Sequence, residues 1–268
     1  MCSIPPPPPP LPALADISPL PKEPSSNRVM DELGDACAWA SEHRELREAC
    51  IKSKIFQDKP PHTYKYRYFE SISQIGPTCG LVALSMLVNG AVNPNELLTI
   101  AKFKGYTNNG EMFSCKQMVK LAEDVFSLVD NMENVRCELQ SGNLSSPETI
   151  KRLINGAVLL VPYDADANHS PCLRNGHTAH WALVCGVIVT GDPVDEYDLG
   201  KVNVQVLCKH GKSKYLAVWN LYTLALSNKN LYEFSPKKCA DGLVYILPED
   251  GIGGKDGLRD QFLIFEGF

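Results

Sequence analysis

The chain is 268 residues long and 44% hydrophobic, with 26 basic residues against 31 acidic ones and a formal net charge of -5. That length and apolar content suffice to bury the core of one large domain or two small ones, and the acidic balance removes the electrostatic footing on which proteins hold nucleic acid. No run of about 18 apolar residues is present to span a bilayer, and the start, Met1-Cys2-Ser3-Ile4 and then prolines, lacks the basic region and apolar core of a secretory signal.

Ten cysteines without such a signal read as reduced thiols in a cytoplasmic protein, not as a disulfide framework. Pro5, Pro6, Pro7, Pro8, Pro9 and Pro10 form an unbroken run, continued by Pro12, Pro19, Pro21 and Pro24. Proline lacks the N–H that helix and sheet need, so residues 1–28 are expected to be a solvated polyproline II leader and 29–268 the folded domain. Such a leader is either a spacer or a ligand for an aromatic groove of the profilin, SH3, WW or EVH1 kind.

Between Met30 and Lys54 the apolar spacing predicts one or two helices, and Tyr64 to Phe69 reads as an alternating aromatic strand. Three further helices are expected. Asn93-Pro94 opens the first, Ser114-Cys115-Lys116-Gln117 caps the second through Phe126, and Ser146-Pro147 starts the third, which Asn155-Gly156 closes. From there the pattern changes to short β-rich runs at 157–162, 180–189, 202–207, 215–219 and 243–247. The expected fold is therefore α+β: a helical N-terminal half packed on an antiparallel sheet, with a cleft at the seam.

The chemistry concentrates in Gln74-Ile75-Gly76-Pro77-Thr78-Cys79-Gly80, just before the apolar run Leu81 to Val88. A buried structural thiol is the ordinary role of a cysteine, but Cys79 stands at the start of a predicted helix behind a Gly-Pro turn. The helix N-terminus favours a thiolate there. Gln74 and the Cys79 backbone N–H are placed to form a two-donor oxyanion hole.

A thiol nucleophile needs a base, and His180, heading the run His180-Trp181-Ala182-Leu183-Val184, is the foremost of six histidines; His177 and then His169 compete. For the group that orients the imidazole, Asn220 at the end of Tyr215 to Trp219 stands ahead of Asp192 in the turn Gly191-Asp192-Pro193. Cys172, His177, His180 and Cys185 imitate a zinc set, yet strand alternation sends His180 and Cys185 to opposite faces, so neither a metal nor another cofactor is expected.

The order Gln-x4-Cys-Gly, His-aromatic-Ala-Leu-Val and Tyr-Leu-Ala-Val-Trp-Asn resembles the papain-like cysteine peptidases, in particular the C39-like group, over about Tyr64 to Leu247. Here Gly-Pro-Thr precedes the cysteine where that group has it following, and the group's usual acidic third residue keeps Asp192 open beside Asn220. With the proline leader and His177-Thr178-Ala179-His180-Trp181, the chain looks like the animal C39-like aminopeptidases that process actin. This resemblance implies removal of an acetylated first residue, acetyl-Met or acetyl-Cys, from actin as substrate, with profilin as partner through Pro5 to Pro10. The alternative is an inactive papain-like adaptor that binds proline-reading domains through the leader.

Overall fold

The computed structural model describes residues 36–190 and 203–268. The proline leader and Asp192 lie outside the described residues. The chain folds as an antiparallel sheet with helices on both faces, which bears out the expected α+β class.

A short 3-10 turn, Ala38–Ala40, precedes α1 (Arg44–Ser53), and β1 (Thr63–Tyr66) follows. The predicted strand through Phe69 thus stops at Tyr66. Next come α2 (Cys79–Leu87), α3 (Pro94–Phe103) and α4 (Cys115–Phe126). Asn93 caps α3 as its motif predicts, accepting from the backbone N–H groups of Asn95 and Glu96 while its own N–H donates to Glu96. Ser114 accepts from Gln117 N at 3.2 Å.

β2 (Arg136–Ser141) leads to α5 (Pro147–Ile154), β3 (Val158–Asp164) and the long β4 (Ala179–Val189). The chain is completed by β5 (Val204–Lys209), β6 (Ala217–Asn220), α6 (Leu221–Lys229), α7 (Pro236–Cys239) and β7 (Gln261–Glu266). Sheet order is β2-β7-β3-β4-β5-β6, with β1 also paired to β4. The segment 243–247 is not a strand; the carbonyl of Val244 instead accepts from the side-chain amides of Asn108 and Asn109.

Alternation along β4 divides the core. Trp181, Leu183 and Cys185 join the cluster built on α1 to α4, whereas Ala182 and Val184 face α5 and α6. A bulge between Val184 and Gly186 resets the phase, so that Val187 and Val189 share the α6 side. Gly186 is required at that point, since a Cβ would come within 2.5 Å of the Lys65 carbonyl on β1. Across the sheet edge, the fully buried Lys209 reaches Glu45 of α1 at 2.8 Å.

Candidate active site

The cleft is made where α2 meets the first residues of β4. Its volume is about 360 Å³, and Gln74, Cys79, His180 and Lys212 all line it. Thr78, at the N-cap of α2, makes no side-chain cap bond, because its hydroxyl donates to Ile75 O at 3.0 Å. The helix start is consequently not occupied by its own cap. Gly76 takes the left-handed φ of 68° that turns the chain ahead of Cys79.

Gly80 lets α2 lie against β4. A Cβ there would stand 2.8 Å from Met118 Cε and 3.0 Å from Trp181 Cδ1. Trp181 in turn donates its indole N–H to Met112 O at 2.9 Å, which fixes Met112 at the cleft wall.

Cys79 is 8% exposed and His180 7%. Burial pushes the Cys79 thiol above its ordinary value of 9.0, against the pull of the Trp181 and Gly80 backbone N–H groups and of Lys238; Glu111 reinforces the rise. Desolvation therefore outweighs the helix start, a correction to the expected lowering. Burial likewise holds His180 down to about 3, and His210, His169 and Lys212 add to the effect. The resting pair is a neutral thiol near a neutral imidazole. Such a pair can make its thiolate by proton transfer at the moment of attack.

Gln74 donates from Nε2 to Gly76 O at 2.7 Å and from its backbone N–H to Gly211 O at 2.8 Å. An amide nitrogen carries two hydrogens, so one donor remains after the bond to Gly76.

His177 lines the same cleft but pairs through Nε2 with Glu233 at 3.0 Å. His169 stacks over His180, with ring centres 6.3 Å apart. Asn220 is not brought to the cleft. It pairs in register with Gln205, which faces Ile188 of β4, and it is not among the residues that line the cleft. Its side chain caps α6 by accepting from Thr223 N, and it donates to Asn203. The apolar run ending in an amide marks a strand-to-helix junction. Asp192 lies outside the described residues.

Cys172, His177, His180 and Cys185 do not gather around one point. Cys185 donates its thiol to Leu207 O at 3.3 Å on the far side of the strand, and among the described residues no cluster of His, Cys, Asp and Glu is arranged to hold a metal.

Three groups escaped sequence reasoning. His210, directly after β5, is 4% exposed and stands 6.0 Å from His180 between ring centres. Glu111 and Lys238 form an ion pair of 2.6 Å in the cleft wall, and the second oxygen of Glu111 is buried with no partner among the described residues. Asp164, fully buried at the end of β3, accepts backbone N–H bonds from Arg174, Gly176 and Thr178 and so gathers the loop that precedes His180.

Residues 69–188 match the family described as actin maturation protease-like, C-terminal domain. The chain is 42% identical to the actin maturation protease of Drosophila melanogaster over 234 residues, 87% of this chain and 82% of that protein. The chain belongs to the actin maturation protease family. Its identity to the zebrafish (Danio rerio) actin maturation protease is 37%, over 74% of this chain and 72% of the other. With the human (Homo sapiens) actin maturation protease it is 34%, over 72% and 63%. The family match covers Gln74, Cys79, Glu111 and His180 and ends before His210 and Asn220. Among the described residues no helix is long and apolar enough to cross a membrane.

Proposed function

We propose that the chain is a thiol aminopeptidase of papain-like fold that removes the acetylated first residue of actin. The observation that carries this reading is the position of Cys79: at the bare start of α2, its sulfur faced by the Trp181 backbone N–H, one residue beyond His180 on the wall of one cleft. In this scheme Sγ attacks the carbonyl carbon of the acetylated residue while His180 takes the thiol proton. Gln74 and the Cys79 N–H donate to the oxyanion. The C–N bond then breaks as His180 returns the proton to the departing amine, leaving a thioester. Water adds to the thioester carbonyl, giving its proton to His180; the C–S bond breaks, and the acetylated amino acid leaves as the thiol is reprotonated.

The cleft supports a capped substrate. Met112, Phe113, Phe234 and Ile252 offer an apolar wall for a Met or Cys side chain. The unpartnered oxygen of Glu111 accepts one N–H, which suits the amide of an acetylated residue; the neighbouring Lys238 already balances the carboxylate, so an ammonium gains less there. Lys212, without a carboxylate partner among the described residues, gives an acidic N-terminal segment a cation at the mouth of a chain of net charge -5. Pro5 to Pro10 provide the profilin ligand, in a cytoplasmic setting.

The test is the intact mass of N-acetylated actin, alone and with profilin, after incubation with wild type and with Cys79→Ala. Loss of one acetylated residue with wild type only is expected, and faster loss with profilin assigns the proline run. A folded Cys79→Ala protein that still cleaves excludes the nucleophile. No mass change with either protein folded leaves the adaptor.

A further inference from the structure

With the Asn220 side chain engaged in capping α6 and in its bond to Asn203, the imidazole of His180 still needs a group to fix its tautomer and its plane. Tyr163, His169 and His210 surround it at ring-centre distances of 5.7, 6.3 and 6.0 Å. Two nitrogens in this nest are buried with no partner among the described residues: Nε2 of His180 and Nδ1 of His210. A buried polar atom left unpaired is costly, and folded proteins rarely leave two such atoms on adjacent rings. A neutral imidazole carries one N–H and one bare nitrogen, so two facing rings are complementary as donor and acceptor.

We propose that His210 is the positioning residue of this site, its Nδ1 accepting the Nε2–H of His180 once the two rings, whose nitrogens stand just beyond hydrogen-bond reach at 6.0 Å between centres, close on each other. This assignment rests on the thiol-peptidase reading. Its consequence is chemical: with the proton held on Nε2, the bare nitrogen of His180 is Nδ1, which becomes the base for the Cys79 thiol.

The surroundings hold His210 in place for that purpose. Its ring stacks on Trp219 with centres 5.7 Å apart and planes 19° from parallel, and His169 closes the third side at 5.9 Å. The next residue, Gly211, is interlocked with Gln74: its carbonyl accepts the Gln74 backbone N–H, and a Cβ on it would lie 2.8 Å from Gln74 Cβ. One two-residue segment thereby sets both the orientation of the base and the place of the oxyanion donor. A neutral histidine can orient His180 without adding charge beside it. The depressed proton affinities of both rings agree with that neutral arrangement.

Two variants separate orientation from packing. His210→Phe keeps a ring against Trp219 but removes the acceptor; His210→Asn loses the ring but offers an amide oxygen near the place of Nδ1. Three properties are measured on each full-length protein: the rate of Cys79 alkylation by iodoacetamide, located by peptide mass; kcat and KM for removal of the acetylated residue; and the melting temperature. The Phe variant is expected to lose about 10- to 100-fold in kcat and in alkylation rate, with KM within about twofold, and the Asn variant to recover most of both. A Phe variant as fast as wild type, or an Asn variant no faster than Phe, overturns the assignment. Wild-type Cys79 reacting no faster than the exposed Cys239 removes the thiol site itself and this assignment with it; the wild-type control tells the two failures apart.

Discussion

Gly80 carries as much of the site as the cysteine before it. Its missing Cβ is what lets α2 approach Met118 and Trp181 so closely. Met118 can swing its methyl away, but Trp181 is pinned through its indole to Met112 O. Gly80→Ala should therefore cost about 1–3 kcal/mol in denaturant unfolding and also lower kcat, because the strain moves Cys79 relative to the Trp181 N–H. Unchanged stability together with unchanged activity would show that α2 shifts freely. At this scale the sequence was informative wherever chemistry is local. Gln74, Cys79 and Gly80 lie within seven residues, and turn, helix start and donor can be read directly from that spacing. His210 and Glu111 could not be read in that way, since what marks them is a lost partner in a folded nest, and nothing next to them in sequence carries that information.

Among the elements, the loop between β3 and β4 controls where His180 stands. It spans residues 165–178, and its backbone converges on the single carboxyl of Asp164, whose own backbone N–H donates to Ser227 Oγ of α6 at 2.9 Å. Removing that carboxyl takes the acceptor from three N–H groups, that of the buried Gly176 among them. Asp164→Ala should destabilise the fold by on the order of 3 kcal/mol and, under conditions where it remains folded, reduce kcat through misplacement of His180. Urea unfolding and kinetics at low temperature measure the two effects separately, and a variant with wild-type stability would refute the anchoring role. Elements with strong end signals were legible: the Asn93, Ser114 and Ser146 caps fall where the helices begin. β2 and β7 were not, because their pairing joins Arg136–Ser141 to Gln261–Glu266 across most of the domain. The 243–247 run misled through its apolar content, which packs Tyr245 against Phe113 and Phe234 and leaves Val244 exposed outside any strand.

For the whole molecule, burying the two imidazoles makes stability depend on acid. Burial holds His180 at about 3 and His210 at about 4, each below the ordinary 6.5, with His169 acting on both rings and Lys212 on His180 in the same direction. Below about pH 6.5 the unfolded chain binds protons on these histidines that the folded chain refuses. Stability therefore falls as pH drops from about 6.5 toward 4, and the loss levels off only once the folded rings also protonate. The size should be a few kcal/mol, a large part of the 5–15 kcal/mol typical of a domain. Carboxylates contribute in the same direction at lower pH: the Arg152 hydrogen bond keeps Glu266 below its usual range, and that stabilisation is lost as Glu266 protonates. The histidine share can be isolated by urea unfolding at pH 7.5, 6, 5 and 4.5 of wild type and of a His180→Gln, His210→Gln double variant. Wild type should lose stability steadily over that range, while the double variant should change little until the carboxylates begin to titrate. Parallel curves for the two proteins would mean that the imidazoles take up protons in the folded state as readily as in the unfolded one, and the neutral resting pair inferred for the cleft would have to be abandoned.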